Sequence, residues 1–187
     1  VIGASPETDL HILNLSGSLY KEQKLKRVYY SGYIPVSNDT RLPTLTAPPL
    51  VRENRLYQAD WLMRFYGFSV NEIVDEQHPH LDMQYDPKLV YALRNMHLFP
   101  INLQTAPYEM ILRVPGIGVR SAQKIVAARR YSRIHIDLLK KLKVALNRAK
   151  YFIDVPGNLL LRNHYYPETI KQQLSGGDKP QQLALFA

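Results

Sequence analysis

The chain has 187 residues, with 24 Lys+Arg against 16 Asp+Glu, a formal net charge of +8, 45% hydrophobic residues and no cysteine. The missing thiols exclude a disulfide framework, Cys-ligated zinc, a catalytic cysteine and an iron–sulfur cluster held by this chain alone. No apolar run approaches the roughly 20 residues of a membrane span, and Val1-Ile2-Gly3-Ala4 lacks the basic region of a signal peptide, so the expectation is a basic, cytoplasmic protein without a membrane partner.

Ile2-Gly3-Ala4 reads as the end of a buried strand, and residues 9–20 carry Leu10, Ile12, Leu13, Leu15 and Leu19 densely enough for a helix. Val28-Tyr29-Tyr30-Ser31-Gly32-Tyr33-Ile34 is β-branched and aromatic and predicts a strand. Strand, helix, strand is the grammar of an α/β layer, although two such elements do not close a domain. Pro35, Pro43, Pro48 and Pro49 mark residues 35–50 as a connecting loop.

From Arg52 the period becomes helical, with Leu56, Ala59, Met63 and Tyr66 recurring until Gly67 stops the run; Trp61 is expected in the core. Ser69 and Glu72 have capping-box spacing, which places a short helix at Val70. Asp86 before Pro87 launches another helix, over residues 88–95. His78-Pro79-His80 brings two imidazoles close together, but the intervening proline and the lack of a third ligand at a recognisable spacing predict no metal site.

The charge is concentrated. Residues 105–150 hold eleven Lys/Arg and only Glu109 and Asp137 as acids, a net +9, while the other 141 residues sum to −1. Such a block is the footprint of a phosphate-backbone partner, or else a solvated helix face, and the motif inside it must decide. That motif runs Thr105-Ala106-Pro107-Tyr108 to Val114-Pro115-Gly116-Ile117-Gly118-Val119-Arg120-Ser121-Ala122-Gln123-Lys124-Ile125. Thr105 is expected to cap a first helix that Pro115 ends, Gly116 and Gly118 to form a tight turn, and small Ala122 to let a second helix pack closely on the first. The product is a helix N-terminus with bare amides, where an anion fits.

These residues resemble the helix-hairpin-helix DNA-binding motif, whose core is a Pro-Gly-apolar-Gly turn with a small residue four positions on. The resemblance implies that Gly116, Ile117, Gly118 and Val119 present amides and an apolar tip to a duplex, with Arg120, Ser121 and Lys124 adding phosphate contacts. Residues 136–150 look like a degenerate second copy in which Lys143-Val144-Ala145 replaces the glycine turn. A structural or protein-binding use of the hairpin is the alternative. After the linker-like Ser175-Gly176-Gly177-Asp178-Lys179-Pro180, the chain ends Gln181-Gln182-Leu183-Ala184-Leu185-Phe186-Ala187. Gln182, Leu183, Leu185 and Phe186 resemble the pentapeptide Gln-Leu-x-Leu-Phe that holds the bacterial sliding clamp. The alternative is a tail packed on its own domain.

Residues 1–36 (Ile2-Gly3-Ala4-Ser5-Pro6-Glu7-Thr8-Asp9, then Lys26-Arg27-Val28-Tyr29-Tyr30-Ser31-Gly32-Tyr33-Ile34-Pro35-Val36), the helix over 52–68 and the hairpin together resemble the C-terminal part of a bacterial family of DNA modification or repair radical SAM proteins. The likeness extends from residue 1 to about 153. It implies a mixed α/β, mostly α fold: the last β/α elements of a partial (β/α) barrel with the Pro-rich loop (1–50), a helical connector (51–100), the helix-hairpin-helix domain (101–155) and a C-terminal extension (156–187). In the full-length family an iron–sulfur cluster and S-adenosylmethionine sit on a Cys-x-x-x-Cys-x-x-Cys loop, and a uracil-DNA-glycosylase-like protein is an associated partner. That loop is absent here, so neither cofactor is expected on this chain alone. Two alternatives stay open. One is a free-standing DNA-binding adaptor tethered to the clamp. The other is a monofunctional DNA glycosylase, in which Arg120 would replace a Lys nucleophile and Asp137 would stand at the catalytic carboxylate.

Overall fold

The computed structural model describes residues 1–34, 43, 49–158 and 166–175. Among the described residues the chain is mostly helical with one small two-stranded parallel sheet, and it divides into two compact units, Val1–Tyr91 and Ala92–Ala187.

In the first unit, α1 (Asp9–Glu22) starts where the Thr8 hydroxyl accepts the His11 amide, and α2 (Leu50–Tyr66) ends at Gly67, whose φ of 66° suits glycine. The predicted capping box is present: α3 (Val70–Ile73) follows Ser69, whose amide donates to Glu72 at 2.8 Å. Asp86 likewise accepts the Leu89 amide at 3.1 Å as α4 (Pro87–Arg94) begins. Leu13, Leu56, Ala59, Leu62, Phe68 and Ile73 form the core of this unit. Two buried carboxylates tie its elements together. Asp9 accepts Arg52 Nε at 2.7 Å and the Leu81 amide at 2.8 Å, and Asp60 accepts Arg64 at 2.8 Å and the Tyr20 hydroxyl.

Two expectations for this unit need correction. The strand over 28–34 is reduced to a single parallel bridge, Ile2 with Gly32. Its backbone groups are taken by side chains instead: Val28 N donates to Tyr20 Oη, Tyr30 N to Tyr57 Oη and Gly32 N to Glu53. Nor is Trp61 in the core. It is 53% exposed and packs at a tilt against Phe65 with ring centroids 4.3 Å apart, because α2 turns Leu56, Ala59, Asp60 and Leu62 inward.

The second unit is a repeat. The pair α5 (Tyr108–Arg113) and α6 (Val119–Ala128) is followed by the pair α7 (Ile136–Lys141) and α8 (Leu146–Ala149). Lys143 stands 27 residues after Gly116, the same offset that separates the starts of α6 and α8, while α5 and α7 start 28 residues apart. Gly116 at φ 86° matches Lys143 at φ 59°, and buried Ile117, Ala122 and Ile125 match buried Val144, Ala149 and Phe152. The second copy therefore keeps the turn despite losing its glycines, with a lysine in the left-handed region at a cost of about 1 kcal/mol. The two turns touch: Ala145 N donates to Gly116 O at 3.0 Å, and Ser121 Oγ donates to Leu142 O at 3.2 Å.

Thr105 does not cap α5; its amide donates to Asn102 O and the cap falls two residues later, at Pro107 with φ −64° and ψ 155°. Proline holds the residue before it extended, which delays the helix. Strands β1 (Ile101–Asn102) and β2 (Ile153–Asp154), which the sequence reading did not anticipate, pair in parallel and bring the two ends of the repeat together. Phe99 packs edge-on against Phe152 at 5.3 Å beside them. A further unanticipated helix, α9 (Pro167–Ser175), buries Ile170, and its Gln173 accepts the Tyr151 hydroxyl at 2.7 Å.

Candidate nucleic-acid interface

Helix α5 ends at Val114, and Pro115 removes the next amide. Gly116 then reverses the chain at φ 86°, and Gly118, extended at φ −89° and ψ 169°, caps α6 with no side chain. The first intrahelical bond of α6 runs from Ala122 N to Gly118 O at 2.8 Å. The amides of Val119, Arg120 and Ser121 precede it and have no partner within the helix. No acid stands in that first turn, so the positive end of the helix dipole is not neutralised by its own residues. Partly exposed Gly118 and Val119 and exposed Arg120 surround these amides.

The seven residues expected to touch phosphate differ in what the fold does with them. Ile117 is only 1% exposed and its amide donates to Val114 O at 3.2 Å, so it is a core residue of the turn rather than an apolar tip. The Ser121 hydroxyl spends its proton on Leu142 O, pinning α6 to the second turn. Gly116 supplies the reversal, and its carbonyl accepts from Ala145. Gly118, Val119, Arg120 and Lys124 remain at or near the surface.

The basic block is divided in the same way. Arg120, Lys124, Arg130, Arg133, Lys140, Lys141 and Lys143 are exposed. Arg113 is buried and donates to Glu109 O at 3.0 Å, and Arg129 donates to Ala106 O at 2.5 Å; both guanidinia bond backbone within the first helix pair. At the second turn the corresponding helix, α8, has four residues and the Ala145 amide is already bonded to Gly116, which makes this turn a packing partner of the first.

Asp137 lies in the first turn of α7, 73% exposed and 3.0 Å from Lys140 Nζ. That ammonium holds its carboxyl below the usual range. An open, ion-paired carboxylate differs from the enclosed one a glycosylase needs to act on a flipped base. His78 and His80 face Asp75 and Asp9 at 3.2 and 3.9 Å, and among the described residues no three His, Asp or Glu side chains gather around a metal position. The residues do not fit an iron–sulfur cluster, because the chain offers no thiolate. Gln182, Leu183, Leu185 and Phe186 lie outside the described residues. Among those described, no helix is long and apolar enough to cross a membrane.

Compared with protein-family models, curated proteins and solved structures, the chain matches none of them.

Proposed function

We propose that this chain binds DNA through the α5–α6 turn, gripping backbone phosphates without reading sequence, as a helix-hairpin-helix does. One observation carries the reading: the side-chain-free N-terminus of α6 at Gly118 opens at the surface of residues 105–150, the stretch with a net charge of +9. A phosphate oxygen there accepts backbone N–H bonds at a positive helix end, and exposed Arg120 and Lys124 lie within the next two turns of the helix. Such contacts position a duplex and carry no base information. On this reading the chain is the DNA-holding part of a radical SAM modification or repair protein, and it supplies no thiolate ligand to the cluster. The terminal Gln182 to Phe186 motif would tether it to a sliding clamp. A peptide of residues 180–187 should bind a bacterial clamp, and a Phe186→Ala peptide should not.

The test of DNA binding is a fluorescence-anisotropy titration of the full chain with labelled duplexes of two unrelated sequences. Both should bind with similar affinity, and log K should fall linearly with log salt. Gly118→Val places a branched side chain over the amides while keeping an extended backbone that any residue adopts, so binding should weaken about tenfold, about 1.4 kcal/mol, with an unchanged melting temperature. Salt-insensitive binding, or full affinity in Gly118→Val, would sink the proposal.

A further inference from the structure

The outer side of α6 is a continuous surface that runs from its N-terminus to the turn beyond it. Arg120, Gln123, Lys124, Ala127, Arg130 and Tyr131 are all exposed, at the three- and four-residue steps that keep side chains on one face of a helix. Three of the six are cationic, and none is acidic. At the far end Tyr131 is 90% exposed, the most exposed of the large apolar or aromatic side chains described.

The backbone under this ring is held firmly. Tyr131 N and Ser132 N both donate to Ala128 O at 3.0 Å, and Ser132 Oγ donates to the same carbonyl at 3.2 Å. Gln104 clasps the turn from the other side: its Nε2 donates to Arg129 O at 3.1 Å and its Oε1 accepts the Ile134 amide at 2.9 Å. The ring itself has no aromatic or hydrogen-bond neighbour among the described residues. A rigid turn thus holds an uncovered aromatic face between exposed Arg130 and Arg133. Aromatic rings among cations are how proteins hold bases of a strand, by stacking on the π-face while guanidinia meet phosphates.

We propose that Tyr131 is a stacking platform for an unpaired base, so that this face of α6 takes a junction between duplex and single strand. The inference rests on the DNA-binding reading and names its substrate class. Ten residues of α6 span about 15 Å, or about four to five nucleotides of one strand at 3.4 Å each. A duplex phosphate at Gly118 therefore places Tyr131 several nucleotides further along. Within a duplex, base faces are covered by their neighbours, so only an unpaired or terminal base can offer the surface this ring needs.

The experiment uses the full chain and three labelled ligands: a blunt duplex, the same duplex with a five-nucleotide extension (each polarity tried), and that extension carrying abasic sites. The native chain should bind the extended duplex about tenfold tighter than the blunt one, and abasic sites should abolish the preference. Tyr131→Ala should bind all three alike, at the native affinity for blunt duplex, and Tyr131→Phe should behave as native. If Tyr131→Ala keeps the preference for the extension, or weakens all three ligands equally, the stacking role is overturned while DNA binding stands. If Tyr131→Ala instead loses affinity for an acidic protein and for no nucleic acid, the ring serves a protein partner and the proposal is wrong. If the native chain binds none of the three, it is the DNA-binding reading that has failed.

Discussion

A Cβ built on Gly116 would lie 2.5 Å from Ala145 O and 3.1 Å from Ala149 N, whereas the backbone at Gly118 suits any residue. Two glycines of one turn therefore answer to different demands. Gly116→Ala forces a left-handed alanine into the second turn and should cost at least about 2 kcal/mol in a urea melt. Gly118→Ala should stay within about 0.5 kcal/mol of native. A second prediction concerns Tyr20, whose hydroxyl is pushed up to about 12, first by burial and then by its hydrogen bond to Asp60. Burial moves Tyr30 in the same direction. A group whose folded value lies above its ordinary value of 10 stabilises the fold fully below pH 10, and that contribution is lost as the pH rises towards 12. The urea midpoint of the native chain should therefore fall between pH 10 and pH 12. In Tyr20→Phe the fall should be shallower, starting from a lower midpoint at pH 8, because Asp60 has lost a donor.

At the scale of elements, much was legible where the signal was local. Gly67, the Ser69–Glu72 box and Asp86-Pro87 each mark a helix boundary through a bond made within five residues, and the structure shows those boundaries. The turn between α5 and α6 was legible for the same reason, since Pro115 and Gly116 act on their own backbone. Long-range choices were not legible. Nothing within residues 28–34 announces that Tyr20, Tyr57 and Glu53 will take up its hydrogen bonds in place of a neighbouring strand. The period of Leu56, Ala59, Met63 and Tyr66 does put Trp61 on the opposite side of α2, so its exposure was legible, but the two-residue strands are too short for any periodicity. At the candidate site, sequence spacing located the turn but treated its amides alike; only the fold separates Ile117, bonded to Val114, from the amides beyond it. For the proposed platform at Tyr131, Arg129-Arg130-Tyr131-Ser132-Arg133 carries the one available sequence signal, an aromatic residue among arginines.

Over the whole molecule, the +9 block lies entirely in the second unit, and the first carries the buried Asp9 and Asp60 networks. With the seven exposed cations of the block taking phosphates, the salt slope on duplex DNA should be about −6. The contact between the two turns adds a consequence for motion. Ala145 N and Gly116 O are joined across the repeat, and Gly116 has no room for even a methyl group against that partner. Neither helix pair can loosen without releasing the other, so the α5–α6 turn should open only when the repeat opens. In native-state hydrogen–deuterium exchange, the Ile117 and Ala145 amides should share one opening free energy, and Gly116→Ala should speed both together.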